Sequence, residues 1–289
     1  MPAFHRALGL VLAVGAFTPV AAQAPTKQIY VSAVDNKGAP VTGLTAADFV
    51  VKEDGATREV LDVKVADEPL HIAVLIDDSA NAMEATSYLR DGLVAMLERL
   101  RGKAEIALIT TGERPTVLAP YSRDTEPLTQ QVKRLFPRSS AGAYLLDAIV
   151  EASHGLAKRE TERRVILAVT FEGVDYSNNQ YEMVLRELQK SGAALHVVAI
   201  GSPSSSLSDE QRNRGMVISE GSSRTGGRRD QVLAVSGIPD KLKQAADELV
   251  NQYLVSYSRP DKLIPPEKIA VSTPKRGVTV RARTRTGER

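Results

Sequence analysis

The sequence contains no cysteine, which excludes disulfides, zinc–thiolate sites and thiol nucleophiles. The formal net charge is only +2 and the hydrophobic content is 43%, values typical of a globular chain. This charge predicts no nucleic-acid partner, because nucleic-acid binding usually requires a concentrated basic face. No apolar run after the N-terminus approaches the roughly 20 residues of a membrane-spanning helix.

Residues 1–24 have the three-part layout of a secretory signal peptide. Residues 1–6 form a short basic segment and residues 8–17 are apolar. Small residues suitable for a signal peptidase follow at 20–24. The apolar run is much shorter than a spanning helix, so we expect export with cleavage and not an uncleaved anchor. The mature protein is then predicted to be periplasmic or secreted, with no integral membrane segment.

The middle of the mature chain alternates between strand-like and helix-like patterns. Buried strands are predicted at 70–76, 105–110, 165–170 and 193–200. Apolar residues at helical spacing lie between and after them, including Leu89, Leu93, Met96, Val184, Leu188, Leu242, Leu249 and Tyr253. This alternation predicts a doubly wound, mostly parallel α/β sheet over residues 69–255.

Both ends of the mature chain read as β structure. Strands are predicted at 28–34, 49–53, 59–65, 254–257, 268–272 and 278–283, with a tight hairpin turn at Asp54-Gly55. Neither end has enough strands for a stable sheet alone. We therefore predict that segments 25–68 and 256–289 pair with each other and that the α/β domain is inserted between them.

Oxygen-bearing side chains follow the first predicted α/β strand at alternate positions, namely Asp77, Ser79 and Asn81. Ligands of open α/β sheets bind at the carboxyl ends of the strands. Carboxylate, hydroxyl and amide oxygens suit a hard cation such as Mg²⁺. The alternative is that Asp77 and Ser79 only cap the following helix.

The pattern resembles the metal-ion-dependent adhesion site of von Willebrand factor type A domains, whose first element is D-x-S-x-S/N. Two further elements are changed here, because Ala143 stands at the family's threonine and Glu172 at its aspartate. The flanks, including 35–55 and 251–257, resemble exported proteins related to these domains that are found in acidobacteria. The resemblance implies the α/β fold, export, and a degenerate metal site formed by Asp77, Ser79, Asn81 and Glu172.

The two changes lead us to expect weak binding of Mg²⁺ or another divalent cation. Ala143 supplies no ligand and Glu172 carries an extra methylene, whereas Mg²⁺ demands near-ideal octahedral geometry. If the four residues converge, Ala143→Thr with Glu172→Asp should rebuild the site. We interpret Asp78 and Asp175 as solvated loop acids, with the alternative that Asp175 approaches the same cleft.

Five arginines, Arg212, Arg214, Arg224, Arg228 and Arg229, cluster in a Ser/Arg/Gly-rich stretch. They predict either a positive rim for an acidic partner or a solvated, mobile loop.

Three functions remain open for the whole chain. The first is a non-catalytic module that binds a protein partner through the strand-end loops, which the absence of a nucleophile–base pair favours. The second is a structural part of a cell-envelope assembly that uses the β ends as a contact surface. The third is a metal-dependent hydrolase with Asp77, Glu172 and Asp175 as its carboxylates.

The signal-peptide interpretation makes a direct prediction about the exported protein. Mass spectrometry of protein recovered outside the cytoplasm should find an N-terminus near Gln23 or Pro25. An exported chain that still begins at Met1 would contradict cleavage.

Overall fold

A computed structural model describes residues 26–203, 208–260 and 264–285, so the predicted signal segment lies outside the described residues. The strands are β1 (Thr26–Asp35), β2 (Val50–Glu53), β3 (Ala56–Arg58), β4 (Val60–Val65), β5 (Leu70–Ile76), β6 (Ala104–Thr110), β7 (Thr116–Ser122), β8 (Arg163–Phe171), β9 (Ala194–Ile200), β10 (Arg229–Val232), β11 (Tyr253–Ser258), β12 (Ile269–Ser272) and β13 (Val278–Ala282). The helices are α1 (Thr86–Leu100), α2 (Thr125–Lys133), α3 (Leu145–Ala157), α4 (Tyr181–Ser191), α5 (Asp209–Met216), α6 (Ser222–Thr225) and α7 (Ile238–Val250).

The larger sheet has six strands in the order β10-β9-β8-β5-β6-β7. All neighbours are parallel except β7, which pairs antiparallel at one edge. Helices α1, α2 and α7 pack on one face, and α3, α4 and the π-helical turn Val217–Gly221 pack on the other. All seven residues of β5 are therefore buried, as a strand covered on both faces requires. The predicted α/β class is confirmed.

The helices bury the faces that the periodicity predicted. In α1, Leu89, Leu93 and Met96 are almost fully buried, and the helix packs closely against α7. A Cβ at Gly92 would lie 2.9 Å from a Leu242 methyl carbon, so glycine permits this approach. No helix of the described segments is long and apolar enough to cross a membrane.

One helical assignment was wrong, because Tyr253 does not continue the buried face of α7. That helix ends at Val250, and Tyr253 begins β11. Its hydroxyl donates to the Val41 carbonyl oxygen at 2.8 Å. The tyrosine therefore packs among the strands of the two chain ends (β1–β4 and β11–β13), which we call the β unit, and its ring contacts Phe49.

The two ends of the chain share sheets. One sheet has the order β13-β1-β11-β4, in which β1 pairs antiparallel with both β11 and β13. The other has the order β12-β2-β3. The predicted pairing of N- and C-terminal β segments is thus observed, at the amino end of β5. The exact boundaries at 68/69 and 255/256 remain a prediction.

The return strand of the first hairpin is β3 (Ala56–Arg58) and not the segment 59–65, which we expected to fill that place. Asp54 and Gly55 turn the chain with positive φ angles, and β3 pairs with β2 over only three residues. The chain then crosses to the other sheet, where β4 pairs with β11. Strand β4 reads as a hairpin partner in sequence because alternation does not specify which strand it will pair with.

Buried charges join the β unit to the α/β sheet. Glu248 of α7 accepts hydrogen bonds from Arg281 of β13 at 2.5 Å and from Arg228 at 3.4 Å. Arg228 also pairs with Asp230 of β10.

His196 of β9 is 1% exposed and neither ring nitrogen has a hydrogen-bond partner. Burial lowers the pKa of His196 to about 4, although the Glu248 charge opposes this shift.

Stability should therefore fall in mild acid. The unfolded chain protonates His196 near its ordinary pKa of 6.5, while the folded chain keeps it neutral until about pH 4. The contribution of this histidine is complete above pH 6.5 and is lost as the pH falls towards 4. We expect a loss of about 2 kcal/mol between pH 7.5 and pH 5 that His196→Met lacks. Urea unfolding of both proteins across this range measures the difference, and parallel curves would contradict the assignment.

Candidate functional site

Loops at the carboxyl ends of the parallel strands form the candidate site. We call this set the carboxyl edge: residues 77–85 after β5, 111–115 after β6, 134–144 before α3, 172–180 after β8, and 233–237 after β10. The 134–144 segment belongs to it because the Arg138 backbone N–H donates to the Asp78 carbonyl oxygen at 2.8 Å. The β unit lies at the opposite end of the sheet.

Asp77 links the ends of β5 and β8 and is 1% exposed. One carboxylate oxygen accepts from the Ser79 backbone N–H at 3.0 Å. The other accepts from the Phe171 backbone N–H at 3.0 Å and from the Thr170 hydroxyl at 3.3 Å. Both oxygens of this carboxylate therefore accept hydrogen bonds from the protein, three in total.

Two buried hydroxyls at the carboxyl edge have no hydrogen-bond partner. Ser79 stands at the N-cap position of the short helix after β5, but its hydroxyl makes no capping bond. The helix-cap alternative for Ser79 is therefore wrong. Thr111 follows β6, and its hydroxyl is likewise buried and unpaired. Sequence reasoning missed Thr111, although its place directly after a buried strand is the signal that would have identified it.

Asn81 and Glu172 do not join Asp77 around a common point. The exposed Asn81 amide donates to the Glu172 backbone carbonyl oxygen at 3.5 Å. The Glu172 carboxylate accepts from Gln231 of β10 at 3.1 Å and pairs with Arg214 of α5 at 3.2 Å. Strand β10 lies on the side of β8 away from β5, so the Glu172 side chain extends away from Asp77.

Arg214 is the principal group at this site that the sequence pattern did not reveal. Its guanidinium is 4% exposed and donates to the Thr170 hydroxyl at 3.2 Å and to the Phe171 carbonyl oxygen at 3.0 Å. Arg228, 9% exposed, is buried among Asp230, Gln244 and Glu248. Neither residue belongs to a rim or a solvated loop. That interpretation was wrong for both, because Arg214 is buried against the partly buried Glu172 and Arg228 is buried against Asp230 and Glu248.

Asp78 and Asp175 are buried, at 3% exposure each, and not solvated as expected. Burial raises the pKa of Asp78, opposed by the Gly112 N–H and by Arg138, which lies 3.2 Å from the carboxylate. Burial also raises the pKa of Asp175, which accepts from the backbone N–H groups of Ser177 and Leu145. Both acids organise loops, because they satisfy backbone donors that would otherwise be buried without a partner.

Residues 72–173 match the family model of the von Willebrand factor type A domain. The chain therefore contains a von Willebrand factor type A domain. This segment runs from β5 to the loop after β8 and includes Asp77, Ser79, Asn81, Ala143 and Glu172. No curated protein matches the sequence.

Solved structures show the same fold at low identity. A von Willebrand factor type A protein from Catenulispora acidiphila is 10% identical, with a TM-score of 0.52 over 90% of this chain and 72% of that one. Proximal thread matrix protein 1 from the mussel byssus is 14% identical, with a TM-score of 0.53 over 68% of this chain and 50% of that one. Another structure of the mussel protein has zinc in its metal-ion-dependent adhesion site.

In this chain, the residues at the positions of the metal-ion-dependent adhesion site do not fit a divalent ion. The two free hydroxyls of Ser79 and Thr111 are suitable oxygen ligands. Against them, the Asp77 carboxylate already accepts three protein hydrogen bonds, Glu172 is paired with Arg214, and Ala143 has no oxygen in its side chain. The described residues contain no group of three or more histidines and acids that could hold a metal. Asp77, Glu172 and Asp175 thus form no carboxylate cluster for metal-dependent hydrolysis.

Asp77 should stabilise the domain without any metal. Asp77→Ala leaves the buried Ser79 and Phe171 N–H groups without their acceptor, which we expect to cost about 2–4 kcal/mol of unfolding free energy. The loss should be equal in EDTA and in Mg²⁺ when measured by urea unfolding. The exposed neighbour change Asn81→Ala should cost less than about 0.5 kcal/mol. A loss seen only in Mg²⁺ would identify Asp77 as a metal ligand.

Proposed function

We propose that this chain is an exported, non-catalytic bacterial module that binds a protein through the carboxyl edge without a metal. The observation that carries the proposal is the exposure of four large apolar side chains there. Met83, Phe136, Tyr176 and Leu233 are 57%, 70%, 56% and 72% exposed. Aromatic residues and methionine are enriched at the centres of protein interfaces. A single exposed apolar side chain is common on protein surfaces, so the proposal depends on the four together.

Two of these side chains are held in place by their surroundings. The Arg90 guanidinium lies 4.2 Å from the centroid of the Phe136 ring. The Tyr176 ring lies 6.3 Å from that of Tyr144 and covers Gly142, where a Cβ would lie only 2.3 Å from the ring. Aromatic groups with restricted rotamers lose little entropy on binding, which favours a recognition role.

The histidines provide no support for catalysis. Among the described residues, His71 accepts from Arg159 at 2.7 Å and His154 lies 3.2 Å from Glu187. His196 on β9, two strands from β5, is buried without a hydrogen bond. None of these three histidines forms a hydrogen bond with the hydroxyl of Ser79 or Thr111, so neither hydroxyl has a histidine base.

Affinity capture from bacterial envelope extracts tests this proposal with matched surface variants. One variant changes Met83, Phe136, Tyr176 and Leu233 to serine, and the control changes Leu61, Val65 and Val117, which are exposed on β4 and β7. We expect the unmodified protein to capture a defined partner in EDTA and in Mg²⁺ alike. The carboxyl-edge variant should reduce capture at least tenfold, while the control retains it.

Each alternative predicts a different pattern. Loss of capture only in the control would favour an edge-strand contact surface, either β4 of the β unit or β7, as in an envelope assembly. Loss in EDTA would indicate metal-dependent adhesion. Retention by all variants would contradict binding through the carboxyl edge. Binding of the purified partner to the same variants then measures the affinity directly.

A further inference from the structure

The three polar groups at the centre of the site form one chain of hydrogen bonds. Arg214 donates to the Thr170 hydroxyl at 3.2 Å, and that hydroxyl donates to Asp77 at 3.3 Å. The same guanidinium pairs directly with Glu172 at 3.2 Å. One positive charge is therefore connected to both acidic positions of the motif, directly to one and through a single hydroxyl to the other.

The fold fixes the guanidinium in this place. Helix α5 begins with a capping box, in which the Ser208 hydroxyl accepts from the Gln211 backbone N–H and the Gln211 side-chain oxygen accepts from the Ser208 backbone N–H. The next contact is made by Asn213, which accepts from the Tyr181 N–H at 2.7 Å and donates to the Asn179 carbonyl oxygen at 3.2 Å. Asn213 thus ties α5 to the loop after β8, and Arg214 follows it in sequence.

We propose that the Arg214 guanidinium is the resident cation of this site and supplies the positive charge that a divalent ion would otherwise provide to Asp77 and Glu172. A buried carboxylate needs a compensating charge, and a guanidinium supplies it in fixed geometry with several donors. The site is consequently complete without a metal. This inference concerns the charge balance of the site and holds whether or not the carboxyl edge binds a protein.

The proposal explains why the motif departs from the family pattern at two positions together. The extra methylene of Glu172 extends its carboxylate towards Arg214 and Gln231, on the β10 side of β8. With no ion to coordinate, the threonine position needs no hydroxyl, and Ala143 is buried, making only backbone bridges to Gly112 and Asp175. Restoring threonine and aspartate alone should then be insufficient, because Arg214 remains in place.

Metal titration of the EDTA-treated full chain tests the role of Arg214. The proteins are the unmodified chain, Ala143→Thr/Glu172→Asp, the triple variant with Arg214→Ser added, and Arg212→Met as an exposed control on α5. Only the triple variant should bind Mn²⁺ by calorimetry. Its melting temperature should rise by about 5 °C or more at one hundred times the Kd. Mn²⁺ should leave the melting temperatures of the other three unchanged.

A metal response with Arg214 intact, in either the unmodified chain or the double variant, would overturn the proposal. A folded triple variant that binds no Mn²⁺ would overturn it as well, because the site would then hold no cation position. If the triple variant does not fold, two variants that remove charges test the same role of Arg214. Arg214→Gln should lower the melting temperature, and adding Glu172→Gln should recover at least half of that loss. No recovery would show that Arg214 does not compensate Glu172.

Failure of this inference is distinct from failure of the proposed function. Metal titration uses no protein partner, so a metal response of the unmodified chain would overturn the role of Arg214 while leaving the capture result unaffected.

Discussion

The burial of β5 is the constraint on which the rest of the structure depends. Every side chain of this strand is removed from water, so helices must cover both faces of the sheet and polar groups must gather where the strand ends. Asp77 is the first such group. Its carboxylate accepts from backbone N–H groups at the ends of β5 and β8, which fixes two neighbouring loops relative to each other.

The Asp77 carboxylate is buried at that edge, so its negative charge needs a compensating positive charge. In the mussel byssus protein, zinc occupies the adhesion site, whereas here a protein side chain from α5 lies within hydrogen-bonding distance of Thr170 and Glu172. A covalently attached cation needs no supply from the medium and cannot dissociate. It also leaves no open coordination position for a partner's carboxylate, so the protein binding that we propose at the carboxyl edge would depend on shape and apolar contact.

Both ends of the chain contribute strands to the β unit, because neither end can form a stable sheet alone. Strand β1 lies between β11 and β13, so residues more than 200 positions apart become neighbours. Arg163 at the start of β8 strengthens the junction, donating to the Ala66 carbonyl oxygen and to Gln252. The inserted domain is thereby tied at its amino edge, opposite the candidate binding loops.

The sequence by itself determined the elements whose pattern is local. Continuous apolar runs identified β5 and β8, helical spacing identified α1 and α4, and the position of Asp77 after β5 located the site. Tertiary structure alone decided the state of that site. Arg214 reads as one of several arginines in a polar stretch, and Asp78 and Asp175 read as solvated acids. Whether a charge is buried and paired depends on residues distant in sequence; Arg214 lies 42 positions from Glu172, a separation that no local pattern records.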